Sequence, residues 1–139
     1  MERQSLLFLA IANRNYGGNP EIIGLLRLIL QRGKLDARIE IVPESEIVET
    51  AKRLKPALIL AGYRVIDHDP SMSSYGDQAL KALKSDPDTR SIPILLLEAY
   101  YDIERVAKEC GIDAYLMVPF GSKEFLDAVT RLTGIPTGV

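Results

Sequence analysis

Ala57-Leu58-Ile59-Leu60-Ala61-Gly62 is the stretch that decides the fold. Pro56 stands before it, Gly62 ends it, and the residues between are uncharged and compact. An apolar run of strand length without polar alternation reads as a strand buried on both faces, as in the middle of a parallel sheet. In open sheets of that kind, ligands and chemistry gather just beyond the carboxyl ends of the central strands. Here that end is Gly62, which has no side chain to do chemistry.

Working towards the amino terminus, Pro56 closes a helix opened by Glu44 or Ser45, with Ile47, Val48, Ala51 and Leu54 facing inward. Ala37, Ile39 and Ile41 alternate with Arg38 and Glu40, the pattern of a half-exposed strand near an edge. Before it, Ile22, Ile23, Leu25, Leu26, Ile29 and Leu30 form a helical apolar stripe ending at Gly33. Asn19 is the expected N-cap of that helix, with Pro20 at its first position and Glu21 in its first turn. Leu6 to Ala12 is another two-sided strand.

Towards the carboxyl terminus, Tyr63 to Ser74 is the least regular segment. Ala79, Leu80 and Leu83 mark a helix ending near Lys84, and Ser85-Asp86-Pro87-Asp88 is a polar turn. Ile92 to Leu97 is a buried strand in which Pro93 is tolerated near the start. Ile103, Val106, Ala107 and Cys110 give a fourth helix stopped by Gly111. Tyr115 to Val118 is the fifth strand, and Ser122 caps a last helix bearing Phe125, Leu126, Val129 and Leu132. Strand and helix alternate throughout with short connections, which demands parallel strands and right-handed crossovers. The expected fold is α/β: a three-layer, doubly wound sheet in one domain over residues 1–139, with a core over about 6–132 and a tail at 134–139.

Composition narrows the function. A net charge of -2 supplies no basic field for nucleic acid or an anionic membrane. Cys110 is the lone cysteine, so no internal disulfide forms, and packing is its expected role. His68 is the lone histidine, which argues against a histidine zinc site. Leu6 to Ala12 is too short to span a bilayer and no cleavage pattern follows it, so a cytoplasmic protein is expected.

Several fragments carry a family resemblance. They are Pro56 to Leu60, Leu80-Lys81-Ala82-Leu83-Lys84-Ser85-Asp86-Pro87, Ser91 to Leu97, and above all Gly111-Ile112-Asp113-Ala114-Tyr115-Leu116-Met117-Val118-Pro119-Phe120. The last is similar to the Gly-Ala-Asp-x-Tyr-Leu-x-Lys-Pro-Phe signature, and together they resemble the receiver domain of two-component response regulators. The resemblance implies a flavodoxin-like five-stranded sheet of order 2-1-3-4-5. It also implies a phosphoryl-accepting aspartate ending the third strand and an acidic pair holding Mg²⁺ after the first. A Thr or Ser after the fourth strand and a Lys before the fifth-strand Pro complete that site.

In this chain the aspartate position reads Gly62, the Thr/Ser position Glu98 and the Lys position Val118. No Asp or Glu occurs between Glu2 and Glu21, so the acidic pair is missing. Glycine cannot form an acyl phosphate, valine cannot donate to an anion, and Glu98 puts negative charge where phosphate would sit. A degenerate, non-phosphorylatable pseudo-receiver is expected, with no catalytic residue, metal or cofactor.

Such a domain is expected to be a signalling adaptor that works through protein–protein contacts, a homodimer among them, either alone or as a module of a longer chain. Tyr115 matches the family's switch aromatic and also reads as a partly buried strand tyrosine with a polar tip. Tyr100, Tyr101, Ile103, Lys123 and Phe125 flank it on the expected face of the fourth helix, fifth strand and fifth helix. Arg14 and Arg64 are the candidates to fill the old pocket and pair with Glu98, the alternative being a solvated Glu98. Asp67 and Asp69 lie in ordinary turn composition, the alternatives being that they bind a cation or accept a phosphoryl group. The rival reading is a small-molecule or nucleotide sensor using the cleft at the strand ends, although Gly17-Gly18 lacks a phosphate-loop Lys-Ser/Thr. An enzyme is not expected, because no nucleophile–base pair is visible.

Overall fold

Leu58, Ile59, Leu60 and Ala61 are all buried and form β3 (Leu58–Ala61) of a computed structural model that describes residues 6–12, 20–61, 75–98, 107–108, 111–112, 114–117 and 120–135. Around it stand β1 (Leu6–Ala12), β2 (Ala37–Pro43), β4 (Ile94–Glu98) and β5 (Ala114–Met117). The five strands are parallel in the order β2-β1-β3-β4-β5. Ala57, expected in the strand, precedes it, and its N–H still donates to the Leu7 carbonyl at 2.8 Å.

The absence of polar alternation has a direct cause. Phe8, Ala10, Leu58, Leu60, Leu95 and Leu97 point to one face of the sheet, where α1 (Pro20–Arg32) contributes Leu26, Ile29 and Leu30. Leu9, Ile11, Ile59, Ala61, Ile94 and Leu96 point to the other face, which is covered by α2 (Ile47–Leu54) and α3 (Tyr75–Ser85) through Ile47, Ala51, Leu80 and Leu83. α4 (Ser122–Thr133) returns to the first face with Phe125, Ala128 and Val129. Each fully buried large aliphatic side chain contributes about 1.5–3 kcal/mol, so both layers are needed to hold the sheet.

Several local expectations are corrected. The α1 stripe is narrower than its apolar content, since Leu25 and Leu28 are 49% and 42% exposed. Its end is turned by Lys34, at φ 57°, rather than by Gly33. Leu35 N–H donates to the Leu30 carbonyl at 3.0 Å across that turn. Gly33 has another reason to be small: a Cβ there would lie 2.8 Å from Leu126 Cδ2. Leu54 is exposed and Thr50 buried on α2, so the inward face is rotated towards Thr50. A 3-10 turn over Glu44–Glu46 precedes α2, and Glu46 is its N-cap without a side-chain hydrogen bond. In α4 the N-cap is Gly121, whose N–H donates to Glu124 Oε1 at 3.1 Å, so Ser122 is already helical. Lys55 (φ 48°) ends α2 in the left-handed region before Pro56, and Gly134 (φ 74°) does so for α4.

Gly24, inside α1, has open space where a Cβ would project. Its backbone is helical, so Gly24→Ala removes unfolded-state freedom without a clash. The variant is expected to be more stable by about 0.5–1 kcal/mol in urea unfolding.

At the amino-terminal end of the sheet, Asp86 ties α2 to the turn before β4. Lys52 Nζ lies 2.7 Å from Asp86 Oδ2, and the Asp88 N–H donates to Asp86 Oδ1 at 2.9 Å. The Lys52 hydrogen bond, then the Asp88 N–H, hold the Asp86 carboxyl below its ordinary range, while the same Lys52 bond pushes the ammonium above its own. A depressed carboxylate contributes stability that is complete above the unfolded pKa of about 4 and lost as pH falls through the folded value. The raised lysine contributes below its ordinary range and ceases to as pH rises through its folded value. Asp86→Asn is therefore expected to flatten the fall in Tm as pH drops below about 4, while leaving the slope around neutrality unchanged.

Candidate functional site

Parallel strands share one direction, so the ends of β1, β3, β4 and β5 lie along a single edge of the sheet. Ala61 is in register with Leu96, and β4 continues two residues further to Glu98. Glu98 is in turn in register with Met117, the last residue of β5. Gly62 follows Ala61 and Val118 follows Met117 in the chain. The backbone thus brings the strand ends that carry Gly62, Glu98 and Val118 next to one another.

Gly62 and Val118 themselves lie outside the described residues, as do Arg14, Arg64, Asp67, Asp69, Tyr100, Tyr101, Ile103 and Cys110, and Glu98 is described in its backbone alone. The donor set can still be judged from the residues that follow each strand. Mg²⁺ takes hard oxygen ligands and usually one or two carboxylates. β1 ends at Ala12 and β3 at Ala61, and the residues after them are Asn13 and Gly62. Neither residue is a carboxylate. Among the described residues, no three His, Cys, Asp or Glu side chains gather closely enough to hold a metal.

The flank at β5 is described in more detail. Alternation puts Tyr115 and Met117 on one side of the strand, where they are 40% and 50% exposed, while Leu116 packs towards Phe8's layer. Met117 was missed in the sequence because it sits where a run of apolar residues looked uniformly inward. On α4, Lys123 is exposed and donates to Asp127 Oδ2 at 2.9 Å, one helical turn on. That hydrogen bond raises the Lys123 ammonium above its ordinary value.

Phe125 corrects the expectation of an interface residue. It is fully buried, with its ring stacked on Phe120 at 5.9 Å between centroids and 26° between planes. The signal was present in the spacing: Phe125 shares a helical face with Ala128 and Val129, both buried. A side chain in that position packs the core and offers a partner nothing.

Comparison with known proteins bears on the fold. No family model and no curated protein matches the chain. Solved structures do. The receiver domain of sensor histidine kinase PA1611 from Pseudomonas aeruginosa PAO1, with magnesium coordinated in its active-site cleft, is 20% identical at a TM-score of 0.71, covering 95% of this chain and 100% of that one. The signal receiver domain of a signal transduction histidine kinase from Syntrophus aciditrophicus is 24% identical at a TM-score of 0.70, covering 94% and 91%. The chemotaxis response regulator CheY4 of Vibrio cholerae is 20% identical at 0.68, covering 93% and 99%. Likenesses at 24% identity or less speak to architecture. On architecture they agree with the strand order found here, and the chain has the flavodoxin-like fold of a receiver domain.

Proposed function

We propose that this chain is a receiver-like signalling module that does no phosphoryl chemistry and acts through protein–protein contacts. One observation carries the reading: β3, the central strand, ends at Ala61 and is followed by Gly62 at the point where the fold would need a carboxylate nucleophile. The neighbouring strand ends deepen the loss. Phosphoryl transfer depends on metal and cationic groups to neutralise the transferred oxygens, and here the sequence offers Asn13, Glu98 and Val118. A carboxylate at Glu98 would repel an anion that a hydroxyl at that position could bind.

With chemistry removed, recognition is what the fold retains. Tyr115, Met117 and Lys123 are exposed near the edge formed by β5 and α4, and they supply an aromatic, an apolar and a cationic group for a protein partner. A second copy of the chain is one such partner. Among the described residues no helix is long and apolar enough to cross a membrane.

Titration with Mg²⁺ and beryllofluoride, which mimics an acyl phosphate, tests the reading by amide NMR. The expected spectrum is unchanged at Ala61, Gly62 and Glu98 up to millimolar ligand. Saturable shifts at those amides would overturn it. Gly62→Asp alone is expected to remain unlabelled by acetyl phosphate, because the metal-binding acids and the lysine are still missing.

A further inference from the structure

β2 is an edge strand, and its outward side can be read from its ladder. Leu6 N–H donates to the Asp36 carbonyl at 2.9 Å, so the even-numbered residues of β2 turn their backbone groups towards β1. Ala37, Ile39, Ile41 and Pro43 therefore turn theirs to the side on which, among the described residues, no strand pairs. An open row of this kind is a template for another strand. One group in the middle of the row is taken: Arg27 reaches over from α1, and its Nη2 donates to the Ile39 carbonyl at 2.8 Å.

The row is also self-complementary. Antiparallel pairing of two β2 strands about a two-fold axis at Ile39 would place Ile39 opposite Ile39 of a second copy, and Ala37 opposite its Ile41. All of these residues have outward-facing donors and acceptors. The same axis sets Arg38 opposite Glu40 of the second copy, and Glu40 opposite its Arg38. Both side chains are exposed, at 65% and 47%, and within one strand they lie 3.9 Å apart. Opposite charges directly across an antiparallel pair stabilise it. Ile41, 40% exposed at this edge, would gain a neighbour in the same pairing.

We infer that the β2 edge is a latent homodimerisation strand held shut by Arg27, whose guanidinium occupies the acceptor at the centre of the two-fold pairing. This is independent of the partner face at β5. Closure by one side chain makes self-association conditional: whatever draws Arg27 away uncovers the edge.

Sedimentation equilibrium of Arg27→Met, which keeps an apolar stem and removes the donor, is the direct test. Its weight-average mass is expected to rise about twofold over wild type at roughly 0.5 mM protein, a concentration that detects a weak dimer. Two second-site changes identify the surface. Ile41→Pro deletes an outward N–H without touching the β1 ladder, and Glu40→Lys sets like charges across the axis. Either one, added to Arg27→Met, is expected to return the mass to the wild-type value. A mass for Arg27→Met equal to wild type overturns the inference, and so does association that survives both second-site changes. If Arg27→Met loses its folded circular-dichroism spectrum, Arg27→Gln, polar but too short to span to β2, is read in the same assay by the same criteria.

Discussion

Phe125→Ala is expected to lower the unfolding free energy by about 3–5 kcal/mol. The side chain is wholly buried on α4 among residues contributed by both ends of the chain, including Phe8, Leu26 and Leu58. Its removal forfeits the transfer energy of an aromatic ring and leaves a cavity that the sheet, pinned by ladders on both sides, cannot collapse to fill. The stacked contact with Phe120 adds to the loss. Urea denaturation followed by far-UV circular dichroism measures it, with Lys123→Ala as a neighbour on the same helix. Lys123 is exposed and its ion pair with Asp127 lies at the surface, so its removal is expected to leave the unfolding midpoint close to that of wild type. A cost for Phe125→Ala as small as that of Lys123→Ala would mean that α4 does not seal this core. The contrast separates two meanings of an aromatic near a partner face: one shapes the scaffold, the other touches the partner.

Thr89→Val is expected to cost about 1–3 kcal/mol, although the two side chains have nearly the same shape. Thr89 is fully buried in the turn before β4, and its hydroxyl donates to the Leu83 carbonyl at 2.6 Å. Leu83 lies near the end of α3, where carbonyls lack partners inside the helix. Valine would keep the packing and leave that acceptor dry and unpaired. Thr89→Ser preserves the donor and loses one methyl, so it is expected to cost about 1 kcal/mol, mostly from the vacated volume. If valine proved the better-tolerated substitution, the turn would be held by packing and the hydrogen bond would be incidental.

The sheet was legible because its strands announce themselves without ambiguity. Leu6 to Ala12 and Ala57 to Ala61 have no polar residue to alternate, and the structure shows why: odd and even positions are buried in different clusters. The same bluntness hid finer facts. Leu25 and Leu28 look as apolar as Leu26 and Leu30, yet a helix lying on a sheet has room for only one side, and the flanks face water. Gly33 looked like a helix stop, whereas its size serves Leu126, a residue 93 positions away that no local pattern can reveal. Thr89 reads as turn composition until its burial is seen. The adjacency of the strand ends that bear Gly62, Glu98 and Val118 was readable only through the resemblance, since nothing local links residue 61 to residue 98 or residue 117. The Arg27 bond to Ile39 leaves no trace in the sequence at all, because one long side chain crossing to a neighbouring carbonyl has no spacing rule.

The first layer of the core joins β1 to α4, the earliest described strand to the last described helix. During synthesis, the side of β1 that carries Phe8 and Ala10 can be covered in part by α1, through Leu26, Ile29 and Leu30, but its cover is not complete until Val129 has cleared the ribosome. Nearly the whole domain must therefore be made before its sheet can be sealed, and the nascent chain spends that interval with a greasy surface on show. Chaperone dependence in the cell should follow translation speed through the codons between β4 and the end of α4 more closely than it follows the folded domain's stability.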